Sequence, residues 1–196
     1  MAGAVPSCPL FLILENQIRN YSWVAAIDFG TCLSGYALSK YEDYKQYALK
    51  IVHKQCWNKS AKNQDVPKTT TCLLLDKNKK FVSFGYDAIE CFSQAELDDQ
   101  QDDYFLFKNF KMCLYNPKTP LMEMTIPDMQ GRHVAASTIF AESLNAIKMK
   151  LLDTLYEHDQ FASNSEIRWV VTVPAIWRDD ARTFMRNAAK ETTDKL

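Results

Sequence analysis

Val24-Ala25-Ala26-Ile27-Asp28-Phe29-Gly30-Thr31-Cys32-Leu33-Ser34-Gly35-Tyr36 is the stretch on which the reading of this chain turns. An apolar run ends in an acid, a glycine and a hydroxyl, and a second glycine leads into another apolar run. The pattern predicts a buried strand, a tight hairpin and a returning strand, with Asp28 at the end of the first strand. Glycine tolerates φ > 0 and has no side chain in the way, so the Gly30–Gly35 backbone can bend closely around a ligand. Backbone N–H groups on such a turn can hold phosphate oxygens. A carboxylate next to a phosphate calls for a cation between them, and Mg²⁺ with its retained waters fits that place. The same residues also suit a plain hairpin whose acid caps a turn.

The 196 residues are 47% hydrophobic and 24% charged, with a net charge of −1. That is a globular composition with enough chain for one or two domains. No basic block is present, which argues against nucleic acid as a partner, since that affinity rests on phosphate neutralisation. Cys8, Cys32, Cys56, Cys72, Cys91 and Cys113 are evenly spread, without a C-x-x-C pair or a zinc-ligand spacing. Reduced thiols in a cytoplasmic protein are expected. The sequons Asn20–Ser22 and Asn58–Ser60 are read as chance. The apolar piece Pro9–Leu14 is too short to span a membrane and lacks the charged flank of a signal peptide. Residues 1–20 are therefore read as a leader, partly disordered or packed on the domain surface.

Beyond it, strands are predicted at Trp23–Phe29, Tyr36–Ser39 and Tyr47–Val52, forming a meander. A polar loop, Asn58–Lys68, follows. Thr70–Leu75 and Phe81–Gly85 make a second hairpin around Lys77–Lys80. A helix is predicted from Tyr86 to about Glu96, an acidic loop over 98–103, and loop-rich chain from Asn116 to Arg132. Phe140, Leu144, Ile147, Leu151 and Leu155 recur at helical spacing and mark a long helix, Val134–Tyr156. Ile167–Val173 reads as a continuous apolar strand stopped by Pro174. A last helix runs from Asp179 to Lys190, with an acid at its start and a lysine near its end. The predicted class is α/β, a mixed sheet with helices packed on it.

Trp169-Val170-Val171-Thr172-Val173-Pro174-Ala175-Ile176-Trp177-Arg178-Asp179-Asp180-Ala181-Arg182 resembles the strand–proline–helix segment of the 70-kDa heat-shock (DnaK-like) ATPases. The hairpin Ile27–Tyr36 resembles their first phosphate loop. Thr69-Thr70-Thr71 and Phe107-Lys108-Asn109-Phe110-Lys111 fall between the two in the family's order. The Phe-Lys-x-Phe-Lys-Met pattern and Trp177-Arg178 are similar to the distant heat shock 70 kDa protein 12 branch. The resemblance covers Trp23 to Ala189. It implies a ribonuclease H-like, actin-like ATPase first lobe over residues 21–196, with ATP and Mg²⁺ as cofactors.

The resemblance also implies roles for single residues. Asp28 would orient Mg²⁺ through water. Gly30, Thr31, Cys32 and Leu33 would hold phosphate, with Cys32 standing where the family has threonine, a better hydrogen-bond donor than a thiol. Lys108 would reach the γ-phosphate as the catalytic lysine, and Lys111 is the competing alignment. Pro174 and Arg182 would relay nucleotide state between lobes. The family's second, glycine-rich phosphate loop and its adenosine loop have no counterpart here, because no glycine follows Gly131. These 196 residues are thus expected to be an incomplete nucleotide-binding lobe without turnover. The partners implied are a nucleotide and other proteins. A non-catalytic interaction or scaffold protein of the same fold, or a piece of an actin-superfamily sugar kinase, are the alternatives.

Overall fold

In the computed structural model, residues 10–13, 21–53, 57, 67–115, 117, 119–157 and 162–193 are described. Strand β2, Trp23–Phe29, alternates strictly: Trp23, Ala25, Ile27 and Phe29 are buried, while Val24, Ala26 and Asp28 face the other way. That is the period of a half-buried strand. The chain reverses into β3, Leu33–Lys40, with Asp28 opposite Gly35 and Phe29 opposite Ser34. β10, Ile167–Val173, repeats the alternation of β2 and lies parallel to it, pairing Val171 with Ile27. β1, Leu10–Ile13, pairs antiparallel with β10, and β4, Thr69–Thr70, with the start of β3. The sheet is mixed, with order β1-β10-β2-β3-β4. Part of the segment read as a leader is therefore its edge strand.

The predicted strand at Tyr47–Val52 is corrected. A short helix α1, Tyr41–Gln46, follows β3 directly, and only Val52 reaches the sheet, through one bridge to Leu38. Glu42 and Asp43 lie in the first turn of α1 and Lys45 in its last, which suits the helix dipole. Lys50 then folds back onto Asp43 at 2.9 Å, leaving Tyr47 and Leu49 in solvent. The apolar stretch 47–51 thus belongs to an exposed turn. Most of the polar loop read at Asn58–Lys68 lies outside the described residues.

A second sheet, order β6-β5-β7, is built from β5, Cys72–Asp76, β6, Phe81–Phe84, and β7, Tyr104–Lys108. β5 is buried on both sides. Leu73 and Leu75 join the main core, while Cys72 and Leu74 pack with Ala88 and Phe92 of α2, Tyr86–Leu97. A small hairpin, β8, Thr125–Pro127, with β9, His133–Ala135, leads into α3, Ala136–Glu157. The predicted stripe of α3, from Phe140 to Leu155, is buried throughout. α4, Asp179–Thr193, packs on α3. Phe140 sits in the middle of an aromatic cluster, with ring centroids 5.8 Å from Phe29, 5.3 Å from Phe110 and 5.3 Å from Phe184. Among the described residues no helix is long and apolar enough to cross a membrane.

Candidate functional site

The β2–β3 register leaves Gly30, Thr31 and Cys32 as the connection. Neither hairpin glycine has a positive φ; that conformation occurs at Gly85 and Gly131. The expected use of φ > 0 is corrected, and the need for glycine is steric. A Cβ on Gly30 would lie 2.1 Å from the Leu33 carbonyl oxygen, and one on Gly35 would lie 3.0 Å from the Pro67 carbonyl oxygen. Three short polar links lock the turn. The Gly30 N–H donates to Ser34 Oγ at 3.2 Å, the Ser34 and Thr71 hydroxyls bond at 2.8 Å, and Thr71 Oγ1 donates to the Gly30 carbonyl at 2.9 Å. Both hydroxyls are buried, so the closed ring leaves none of these groups unpaired. Gly30→Ala is expected to cost about 1–3 kcal/mol, because the clash is with backbone that cannot swing aside. Urea denaturation measures it; an unchanged midpoint would show that the turn can reshape freely.

Asp28 emerges on the face of β2 away from the helices. Parallel pairing brings Thr172 of β10 alongside, and Thr172 Oγ1 donates to Asp28 Oδ1 at 2.9 Å. Lys68 Nζ lies 2.5 Å from Asp28 Oδ2. Partial burial pushes the Asp28 carboxyl up, but the bonds from Lys68 and Thr172 and the charges of Lys68 and Lys111 outweigh it. The net position is below the ordinary value.

The two candidate lysines separate sharply. Lys108 is exposed at the end of β7, where it pairs with Cys72 across the sheet. Asn109 then takes a left-handed conformation, φ 54, which turns the chain inward. Lys111 is consequently buried. Its ammonium donates to the carbonyl of Phe29, the residue before Gly30, and lies 5.0 Å from the Trp177 ring centroid. Burial lowers its pKa from 10.5 to about 8, against the pull of Asp28. The geometry thus places Lys111, and not Lys108, beside the hairpin.

The remaining predicted residues lie close by. Thr31 Oγ1 is 3.9 Å from Met112 Sδ, and Cys32 Sγ is 4.0 Å from Asn109 Oδ1, so the hairpin tip touches the turn that carries Lys111. Leu33 is half exposed. Pro174 ends β10, and Arg182 reaches back from α4 to the Ala175 carbonyl at 2.8 Å and to Asp179 at 3.2 Å. Arg182 therefore clamps the Pro174–Trp177 turn, whose buried Trp177 covers Lys111.

No family model matches the chain. It is 34% identical over 174 residues to human heat shock 70 kDa protein 12B, an alignment covering 88% of this chain and 25% of that protein. With human heat shock 70 kDa protein 12A the identity is 33% over 195 residues, 95% of this chain and 28% of that protein. With the mouse 12A protein it is 37% over 194 residues, with the same coverage. The chain belongs to the heat shock 70 kDa protein 12 family. It spans about a quarter of the length of the curated relatives it matches.

Several residues around this hairpin were not singled out in the sequence. Ser34, Thr71, Thr172 and Lys68 hold the hairpin and Asp28 from positions 4 to 144 residues away. The one local signal was alternation: Thr172 follows Val171 in β10 as Asp28 follows Ile27 in β2, which puts both on one face once the strands run parallel.

Proposed function

We propose that these residues form the first lobe of an actin-like, ribonuclease H-like ATPase domain, and that the Gly30–Leu33 hairpin holds the phosphates of ATP. The observation that carries this is the convergence on one hairpin of Asp28, the buried Lys111 and the Trp177 turn. The Gly30 N–H is already bonded to Ser34, so phosphate contact falls to the N–H groups of Thr31, Cys32 and Leu33. Lys111 takes the place at the γ-phosphate for which Lys108 was the first candidate. Its ammonium is held in a dry aromatic setting, where a fixed charge counts for more than in water. Pro174 and Arg182 pass the position of the Trp177 turn on to α4.

Asp28 suits Mg²⁺ only together with a nucleotide. Among the described residues no cluster of three or more His, Cys, Asp or Glu could hold a metal ion. Mg²⁺ keeps several waters and takes one or two carboxylates plus phosphates, and a single half-exposed carboxylate beside a phosphate hairpin fits that. When bound, the ion supplies charge neutralisation of the phosphates.

A second reading, a non-catalytic interaction protein that keeps the fold, is favoured by the Lys68–Asp28 pair, which neutralises the carboxylate with the protein's own cation. Exposed pairs of this kind are worth about 0–1 kcal/mol, so Lys68 yields readily to a competing charge. Cytoplasmic location, chaperone-related work and protein partners belong to the proposal, as does the absence of nucleic acid.

The 196-residue polypeptide is expected to bind Mg-ATP no tighter than the millimolar range and to release no phosphate. Each missing charge-assisted hydrogen bond from a second phosphate loop costs about 1.5–3 kcal/mol, and a few of them span several decades of affinity. Calorimetry and a phosphate-release assay test this. Micromolar binding or measurable hydrolysis would show that these residues are a sufficient ATPase.

A further inference from the structure

Both oxygens of the Asp28 carboxylate are engaged by the protein's own donors. Thr172 Oγ1 donates to Oδ1 at 2.9 Å, and the Lys68 ammonium lies 2.5 Å from Oδ2. Thr172 is neutral and competes with no ion for charge. Lys68 is a cation, and it stands on the oxygen that an ion would need. Its position is built into the fold. Lys68 directly precedes β4, whose Thr69 pairs with Ser34 and whose Thr70 pairs with Leu33. Thr69 is buried, and its hydroxyl accepts the Tyr86 N–H at 3.1 Å, so the backbone next to Lys68 is fixed from two sides. Across the β2–β3 register, Asp28 faces Gly35, and residues directly opposite share one face of the sheet. The Lys68 stem crosses at that glycine: a Cβ on Gly35 would lie 3.1 Å from Lys68 Cγ. The bare glycine opposite Asp28 thus leaves open the path by which Lys68 reaches the carboxylate.

A free divalent ion arriving at Asp28 must break the Lys68 bridge, and it gains one carboxylate in return. An ion already on phosphate arrives with anions of its own, which the hairpin N–H groups and the released ammonium can both take up. The bridge therefore counts against the free ion more than against the complex. We propose that Lys68 is a built-in competitor for the cation place at Asp28, which sets the site's preference for an ion–phosphate complex over the free ion, a role that rests on the phosphate reading of the hairpin.

The test is a pair of amide NMR titrations of the whole 196-residue chain, one with Mn²⁺ alone and one with Mg-ATP. Mn²⁺ is the paramagnetic stand-in for Mg²⁺ and broadens the signals nearest its seat, here Asp28, Phe29, Gly35 and Thr172. Lys68→Met removes the competitor from an exposed position. It should bring on that broadening at an Mn²⁺ concentration about three- to fivefold lower than in wild type, the range an exposed ion pair can supply. Its gain towards Mg-ATP, read at Thr31–Leu33, should be smaller, so that the preference for the complex narrows. Lys68→Arg keeps the charge and should stay with wild type. Lys77→Met makes the same change of net charge in the β5–β6 turn and should leave the Asp28 signals unmoved. Equal Mn²⁺ response in wild type and Lys68→Met, a Lys68→Arg chain that behaves like Lys68→Met, or an equal gain from Lys77→Met would each overturn the proposal and leave the phosphate reading standing. A hairpin silent to Mg-ATP beside an enhanced Mn²⁺ response in Lys68→Met would overturn the phosphate reading, and with it the preference assigned to Lys68.

Discussion

Phe140→Ala is expected to lower stability by about 3–5 kcal/mol, the cost of emptying a fully buried aromatic site. For a chain of this length that is a melting temperature roughly 6–20 °C lower. The loss should also reach the site. Phe140 packs on Phe29 and Phe110, and these flank the two points that Lys111 joins, the Phe29 carbonyl and its own turn. Circular dichroism melts give the first number, and amide exchange at Gly30–Leu33 gives the second. A loss below about 1 kcal/mol would mean that the aromatic cluster does not support the hairpin.

Lys111→Met should remove both a pH dependence and the phosphate response. In the folded chain Lys111 releases its proton near 8, whereas unfolded it keeps it to about 10.5. Between these values the unfolded chain binds more protons, so stability contributed by this site rises with pH across the window. Below 8 both states are charged and the full cost of burying the ammonium remains. The rise is at most about 3 kcal/mol by linkage. Urea midpoints at pH 7 and pH 9.5, taken as the difference between wild type and Lys111→Met, isolate it. Tyr36, pushed up to about 12, and Cys113, up to about 11, are common to both chains and cancel. The difference, wild type minus variant, should rise between pH 7 and pH 9.5; parallel curves, with an unchanged difference, would mean that Lys111 is not buried as a cation.

The parts of the fold that were legible in the sequence are those with a strong period. β2 and β10 have the predicted bounds because their apolar runs end at Gly30 and Pro174, and the α3 stripe is buried as its spacing requires. Tyr47–Val52 misled because a short apolar run reads as a strand whether or not a partner edge is free. Here the ends of β3 are taken by β4 and by a single bridge from Val52. Lys108 and Lys111 could not be ranked by pattern, since each follows a phenylalanine. The left-handed turn at Asn109 is what buries Lys111 beside the hairpin, and although Asn tolerates that conformation better than most residues, nothing in the spacing requires it. The hydroxyl ring of Ser34 and Thr71 was invisible for a different reason: its members meet only after β4 has docked on β3.

The central claim is that the Gly30–Leu33 hairpin, with Lys111 behind it, is a phosphate site. The most direct test is an amide NMR titration of the 196-residue chain with Mg-ATP, run beside Lys111→Met. The account predicts millimolar, saturable shifts at Thr31, Cys32, Leu33 and Lys111 that disappear in the variant. A silent hairpin, or shifts that survive the loss of Lys111 unchanged, would contradict it.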